Sequence, residues 1–338
     1  MTGGGDCPGL NAVIRAVVRK GLADGHTLFG YTYGWAGILK GEGRDLDLDA
    51  TRGILHRGGT ILGSSRTNPF KEGGPGVDGI REGMERQGVD VLVPIGGEDT
   101  LGVAARLAEA GVPVVGVPKT IDNDLKGTDY TFGFQTAVQI ATDAVDRLHT
   151  TAESHNRVMV LEVMGRHAGF IAAHAGMAGG ADVILVPERP FDIEEVCTHI
   201  KRRHANGRTF SIVVVSEGAT PKEGTLSTAG SGQLDAFGHV RLGGIAVTLE
   251  REIEERTGYE TRMTILGHVQ RGGSPVAFDR VLGTRFGVAA AEAVSAGKSG
   301  IMVALRGTDI VEAPISEALG EPKTLDDKFF ADAAVFFG

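Results

Sequence analysis

Apolar residues recur along the chain in two alternating patterns. Short continuous runs of strand length fall at residues 90–95, 112–117, 158–163, 183–186 and 210–215, with a weaker one at 263–266. Runs without a polar alternate suit strands covered on both faces, as in parallel sheets. Between them, residues 8–20, 100–110, 134–150, 168–178, 193–204, 243–257 and 278–296 read as helices. In the first, Val13, Ile14, Val17 and Val18 form one apolar stripe, and Asp6 followed by Pro8 supplies a helix start. Strand–helix alternation of this kind predicts a doubly wound α/β architecture. Residues 218–235, rich in Gly, Ser, Thr and Pro, predict a surface loop, and the tail after Gly320 is weakly patterned.

Length adds a domain count. At roughly 150 residues per domain, the 338 residues predict two domains. The net charge of −9 argues against indiscriminate binding to nucleic acid or anionic membranes, so phosphate ligands must meet local basic clusters. No apolar run approaches the ~20 residues of a membrane span, and the N-terminus lacks a signal pattern, which predicts a cytoplasmic protein. Two cysteines, Cys7 and Cys197, provide neither a disulfide framework nor a metal cluster. Glycine is the unusual component: 52 residues, about twice the usual ~7%. Without a collagen period or a low-complexity tract, that many glycines predict tight turns where backbone approaches something closely.

In open α/β sheets ligands bind at the carboxyl ends of strands, and the residues just after the apolar runs carry chemistry. They are Gly96-Gly97-Glu98-Asp99-Thr100, Lys119-Thr120-Ile121-Asp122-Asn123-Asp124, Met164-Gly165-Arg166, Glu217-Gly218 and His268-Val269-Gln270-Arg271. The turn from Thr2 to Gly9, opening into a helix, offers unobstructed N–H groups to an anion, or is simply a glycine-rich helix start. Glu98 and Asp99 beside such a cradle suggest Mg²⁺, or only an acid-rich helix N-terminus. Asp122 and Asp124 face one side of an extended segment, as a general base for a sugar hydroxyl would, or as an Asx-turn cluster would. Arg66, Arg157, Arg166, Arg262 and Arg271 lie near strand ends or glycine turns and offer forks suited to phosphate. No Walker loop, dinucleotide fingerprint, nucleophile elbow or zinc-protease motif occurs. The residues alone predict an α/β protein that binds or transfers phosphate.

The resemblance is more specific. Gly4-Gly5-Asp6-Cys7-Pro8-Gly9-Leu10-Asn11, Gly58 to Arg66, Ile95 to Thr100, Pro118 to Asp124, Glu162 to Arg166 and Thr264 to Pro275 occur in the order found in bacterial-type 6-phosphofructokinases. The resemblance covers nearly the whole chain. It implies two α/β/α sandwich domains with mostly parallel sheets and a ligand cleft between them. Residues 1–133 plus 270–320 would bind the donor phosphates, and 134–269 plus 321–338 the sugar phosphate. It also implies transfer of a phosphoryl group to O1 of fructose 6-phosphate, with Mg²⁺ held by Glu98. Asp122 would accept the hydroxyl proton, Thr120 and Asp124 would hold substrate and metal-bound phosphate, and Gly5 would lie against the donor. Met164, Gly165, Arg166, Glu217, His268 and Arg271 would bind the sugar phosphate. Arg66 and Arg166 would stabilise the charge on the moving group. Arg157 and Arg262 would reach a neighbouring subunit's 6-phosphate, which implies a homodimer or homotetramer.

Members that use ATP typically carry glycine where this chain has Asp99 and Lys119. An aspartate there repels the α-phosphate, and a lysine fills the gap while offering a cation to a short, highly charged donor. The pair therefore implies pyrophosphate, as in the family's pyrophosphate-dependent branch, with a readily reversible reaction. An ATP-dependent enzyme is the alternative, and a non-catalytic sugar-phosphate sensor or an NAD-linked dehydrogenase are more distant ones. The basic effector stretch of allosteric members is here His204-Ala205-Asn206-Gly207-Arg208-Thr209, and His149 stands where an effector arginine is expected, which implies little nucleoside-diphosphate activation. Members also carry a short apolar strand before the first glycine turn, where this sequence offers Met1 and Thr2.

Overall fold

The computed structural model describes residues 1–226 and 242–335. In chain order the elements are α1 (Leu10–Ala23), β1 (Phe29–Tyr31), α2 (Trp35–Lys40), β2 (Gly43–Asp45), α3 (Gly76–Gln87), β3 (Ile95–Gly96), α4 (Glu98–Glu109) and β4 (Val115–Pro118). They continue with α5 (Phe134–His155), β5 (Val158–Val163), α6 (Phe170–Ala178), β6 (Val183–Leu185), α7 (Ile193–Ala205), β7 (Ser211–Ser216), α8 (Ile245–Thr257) and β8 (Thr261–Ile265). A 3₁₀ turn (Gly267–Arg271), α9 (Ala277–Ser295), β9 (Ile301–Arg306), β10 (Asp309–Pro314), a second 3₁₀ turn (Ile315–Ala318) and α10 (Asp327–Ala334) complete the described chain.

These residues divide into two compact units. The first comprises Met1–Ile121, Leu125–Thr136 and Arg271–Glu321; the second comprises Asp122–Asp124, Ala137–Gln270 and Pro322–Gly338, of which 227–241 and 336–338 lie outside the described residues. The loop expected at 218–235 is thus described only as far as residue 226.

In the first unit a four-stranded sheet runs in the order β10-β9-β4-β3. The pairs β3–β4 and β4–β9 are parallel, and β9–β10 is an antiparallel edge hairpin. The strand expected over 90–95 contracts to Ile95–Gly96. Pro94 has no N–H to give a ladder, and Leu92 keeps only an isolated bridge to Val114. Thr2 bridges Ile95 in parallel, with Gly3 N–H donating to Ile95 O at 3.0 Å and Ile95 N–H to Met1 O at 3.0 Å. Helix α1 starts at Gly9, whose φ of 110° is a left-handed value that glycine adopts readily. Its expected stripe packs on α9 at close range. A Cβ at Gly287 would stand 2.6 Å from Ala16 Cβ and from Val13 O.

Asp279, in the first turn of α9, is fully buried and receives the Thr136 N–H at 2.7 Å and the Thr136 hydroxyl at 2.5 Å. It therefore anchors the first turn of α5 to α9. Burial pushes its carboxyl up to about 6, against the lowering pull of the Thr136 hydrogen bonds.

In the second unit the sheet order is β6-β7-β5-β8, all pairs parallel. All six residues of β5 and of β7 are buried, as their continuous apolar runs require when helices cover both faces. Ile193, Val196 and Ile200 of α7 pack with Leu249 and Ile253 of α8 and the strand valines Val158, Val160, Val213 and Val215. Both cysteines are buried and unbridged. No described helix is long and apolar enough to cross a membrane.

Candidate active site

The glycine turn of the first unit is held from three sides. Gly4 (φ 78°) donates its N–H to Ser65 O at 3.1 Å, and the Ser64 hydroxyl donates to Gly4 O. Lys119 follows β4, where its N–H donates to Gly96 O at 2.9 Å, and its ammonium reaches Gly5 O at 2.5 Å. Lys119 is 5% exposed. A Cβ added at Gly5 would run into the Arg271 guanidinium. Arg271, expected among the sugar-phosphate ligands, thus lies against the glycine turn of the first unit.

The second turn of this unit is Gly96-Gly97. A Cβ at Gly96 would overlap Thr100, so the chain turns into α4 only with glycine there. Glu98 and Asp99 then occupy the first helical turn, where carboxylates are favoured by the unpaired N–H groups. Glu98 is exposed and Asp99 half-buried. Arg66 is exposed and directly follows Ser65, the residue that binds Gly4. Gly5, Arg66, Asp99, Lys119 and Arg271 therefore surround or adjoin the two glycine turns. Thr120 continues from Lys119, its carbonyl accepting the Thr131 hydroxyl at 2.8 Å.

Asp122 and Asp124 group with the second unit. Asp122 is buried, and Asn123 between them has φ 54°. That left-handed residue breaks the extended alternation that would put both carboxylates on one side.

The other predicted sugar-phosphate residues of this unit gather at the carboxyl ends of three adjacent strands. After β5 come Met164, Gly165 (φ 147°) and Arg166 (φ 53°), the last an uncommon conformation for a side-chain-bearing residue. Arg166 N–H donates to the Glu217 carboxylate at 3.1 Å, from the end of β7. Glu217 N–H in turn donates to Val163 O at 2.8 Å. A Cβ at Gly218 would overlap Arg166 O, so the Glu217-Gly218 pair shapes the arginine loop from both sides. Met164 N–H reaches the Gln270 side chain at 3.3 Å, beyond β8, with His268 exposed two residues earlier.

Arg157 and Arg262 are not brought to this end. Arg157 immediately precedes β5 and Arg262 is the second residue of β8, at the amino ends of strands whose carboxyl ends carry Met164–Arg166 and His268. The two are neighbours: Arg157 pairs with Glu260 at 2.8 Å and Arg262 with Glu260 at 2.5 Å and Glu254 at 3.5 Å. The hydrogen bond from Arg157 holds the Glu260 carboxyl below the usual range.

Two further buried residues near these strand ends carry no assignment from sequence. Gln270 fixes the Met164 amide, and Glu162 is a buried carboxylate inside β5. Glu162 receives N–H groups of Gly244 at 2.9 and 3.1 Å and of Ala246 at 2.9 Å, capping the start of α8. The signal for Glu162 was a lone acid in an otherwise apolar strand.

Glu98 is an accessible oxygen ligand beside the glycine turns, of the kind Mg²⁺ uses together with phosphate and water oxygens. Among the described residues no group of three or more His, Cys, Asp or Glu side chains is assembled around a metal position.

Comparison with known proteins agrees with this geometry. A phosphofructokinase family profile matches residues 1–294. The chain is 62% identical, over all of its length and 98% of the relative's, to the pyrophosphate--fructose 6-phosphate 1-phosphotransferase of Amycolatopsis methanolica. It is 55% identical, over 98% of its length and 97% of the relative's, to ATP-dependent 6-phosphofructokinase 3 of Streptomyces coelicolor. Among solved structures, the pyrophosphate-dependent phosphofructokinase of Marinobacter aquaeolei matches with a TM-score of 0.83 at 26% identity, over 96% of this chain and 84% of that one. The chain belongs to the phosphofructokinase family.

Proposed function

We propose that the protein transfers a phosphoryl group from pyrophosphate to O1 of fructose 6-phosphate, giving fructose 1,6-bisphosphate and phosphate, reversibly. The observation that carries the choice of donor is the Lys119 ammonium, 2.5 Å from Gly5 O. It fills the space beneath the first glycine turn and sets a positive charge there. A short, highly charged donor gains from that charge, whereas a nucleotide needs the volume. Asp99, in the first turn of α4, adds a negative charge that an α-phosphate would have to approach. Relatives of both donor types exceed half identity to this chain, so overall similarity supports the donor assignment less than these two side chains do.

Asp122 takes the proton of the O1 hydroxyl as that oxygen bonds to phosphorus, and the bridging P–O bond breaks with its electron pair leaving on phosphate. Thr120 and Asp124 orient the acceptor. Arg166, with its loop set by Glu217 and Gly218, offers a fork to the equatorial oxygens of the moving group, as does Arg66. Met164, Gly165, Glu217 and His268 bind the sugar. Arg271, which lies against the first glycine turn, offers its fork to phosphate from that side. Glu98 would hold Mg²⁺, which when bound offsets donor charge.

Arg157 and Arg262 serve the 6-phosphate of a neighbouring subunit in a homodimer or homotetramer; their place at the amino ends of β5 and β8 supports that reading. Weak effector control is part of it too. His149 is turned inward, its Nε2 2.7 Å from Gly179 O, and Asp182 is paired with Arg203 at 2.6 Å. Adding ADP should leave the half-saturating sugar-phosphate concentration unchanged.

A coupled assay with pyrophosphate, with ATP and with neither tests the donor. Turnover with pyrophosphate alone is expected. Turnover with ATP alone would overturn the donor, and turnover with neither would overturn the activity.

A further inference from the structure

We infer that Glu188 is a positioning residue: with the backbone of residues 323–325 it clasps the loop bearing Arg166 to the loop bearing Asp122 and Asp124. The inference rests on the reading of those loops given above. Glu188 follows β6 and touches none of the groups placed at the reacting atoms. Its carboxylate receives the Gly169 N–H on both oxygens, at 2.9 and 3.1 Å, and the Leu325 N–H on Oε1 at 2.8 Å. Gly169 is the last residue before α6, so this contact fixes the far end of the Gly165–Gly169 turn. Close approach is required there. A Cβ at Gly169 would lie 2.5 Å from Val186 Cβ and 2.8 Å from Glu188 Oε2.

Two residues before Leu325, Lys323 N–H donates to Asp124 O at 2.7 Å. The extended segment between Pro322 and α10 therefore grips one site loop through Lys323 and the other through Leu325 and Glu188. Its far end is pinned independently. Phe329 stacks on His174 with centroids 4.4 Å apart, and Arg189 lies 4.4 Å over Phe330 while pairing with Asp327 at 2.7 Å. Leu325 itself is 8% exposed. A segment held at both ends leaves Glu188 little freedom to slide, so its carboxylate transmits position from one loop to the other. Because one oxygen, Oε1, accepts from both Gly169 and Leu325, the amide oxygen of glutamine can do the same.

The test compares Glu188→Ala, Glu188→Gln, Lys323→Pro and the Glu188→Ala/Lys323→Pro double variant in the full-length protein. Steady-state kinetics are read for sugar phosphate and donor separately, with amide exchange at Gly169 and residues 323–325. The clasp predicts a kcat about tenfold lower in each disruptive single variant, since small misplacement of reacting groups is costly. Donor KM stays within about twofold, Glu188→Gln restores kcat, and the double variant is no worse than either single, as coupled sites require. Unchanged kcat in Glu188→Ala, multiplicative losses in the double variant, or failure of glutamine to rescue would overturn it. Should the unaltered protein transfer phosphoryl groups from no donor, the functional reading fails by itself. The exchange data then decide the clasp: deprotection of residues 323–325 on Glu188→Ala supports it, and unchanged protection overturns it.

Discussion

The ammonium of Lys119 donates to the carbonyl oxygen of Gly5 at 2.5 Å, locking the end of β4 to the first glycine turn. A charged hydrogen bond of this kind is worth roughly 1.5–3 kcal/mol, and in the proposed reaction the same cation would meet the donor. Replacing Asp99 and Lys119 together by glycine should remove charge and bulk from the donor space. The expected result is a fall in kcat/KM for pyrophosphate of about 10- to 100-fold and measurable turnover with ATP. Parallel assays with the two donors check this, and an unchanged preference would refute the crowding argument.

Asp122→Asn keeps the shape of the buried side chain and removes its basicity. Loss of a general base typically costs 10²–10⁴-fold, so kcat should fall by about that range while the KM of both substrates changes little. A KM effect without a kcat effect would assign Asp122 to binding alone.

Gly218→Ala tests the shape of the arginine loop. The added methyl would lie 1.8 Å from Arg166 O, so the loop must move. The KM for fructose 6-phosphate should rise by about tenfold, of the order expected when a charged contact is misaligned, with the KM for pyrophosphate unchanged. Initial-rate kinetics with each substrate varied separates the two.

Asp279 gives the stability a defined pH dependence. Burial raises its carboxyl from 3.8 to about 6, so the folded state holds a proton that the unfolded state releases. The contribution is fully present below about pH 4 and is lost as pH rises through about 6, amounting to about 3 kcal/mol. In Asp279→Asn this slope should vanish, so the variant gains stability relative to the parent between pH 4 and 7. Urea midpoints across that interval measure it.

Much of this was legible in the chain, for a physical reason. Strands buried on both faces have no polar alternate, so β5 was expected at 158–163 and found at Val158–Val163, and helices α4 to α9 begin within two residues of the expected starts. The hairpin β9–β10 was not anticipated. Its edge strand β10 interrupts its apolar residues with exposed Asp309 and Glu312, whereas β9 carries an apolar run at 301–305 as unbroken as that of β7. The strand at 90–95 shrank because hydropathy does not register the missing N–H of Pro94. Among site residues, turns with several glycines before a helix were readable because only glycine tolerates their close approaches. The grip of Glu188 on Leu325 was invisible, since it joins residues 137 positions apart through backbone amides that every sequence possesses.

The first unit has a consequence for biosynthesis. Its central strand β4 is flanked by β9, which the chain supplies nearly two hundred residues later. While residues 1–121 emerge from a ribosome, Val115 and Gly116 have no neighbour on that side, and most of the intervening segment belongs to the other unit. The amino-terminal portion must therefore wait, open-edged and dependent on being kept from other chains, until the residues near 306 arrive.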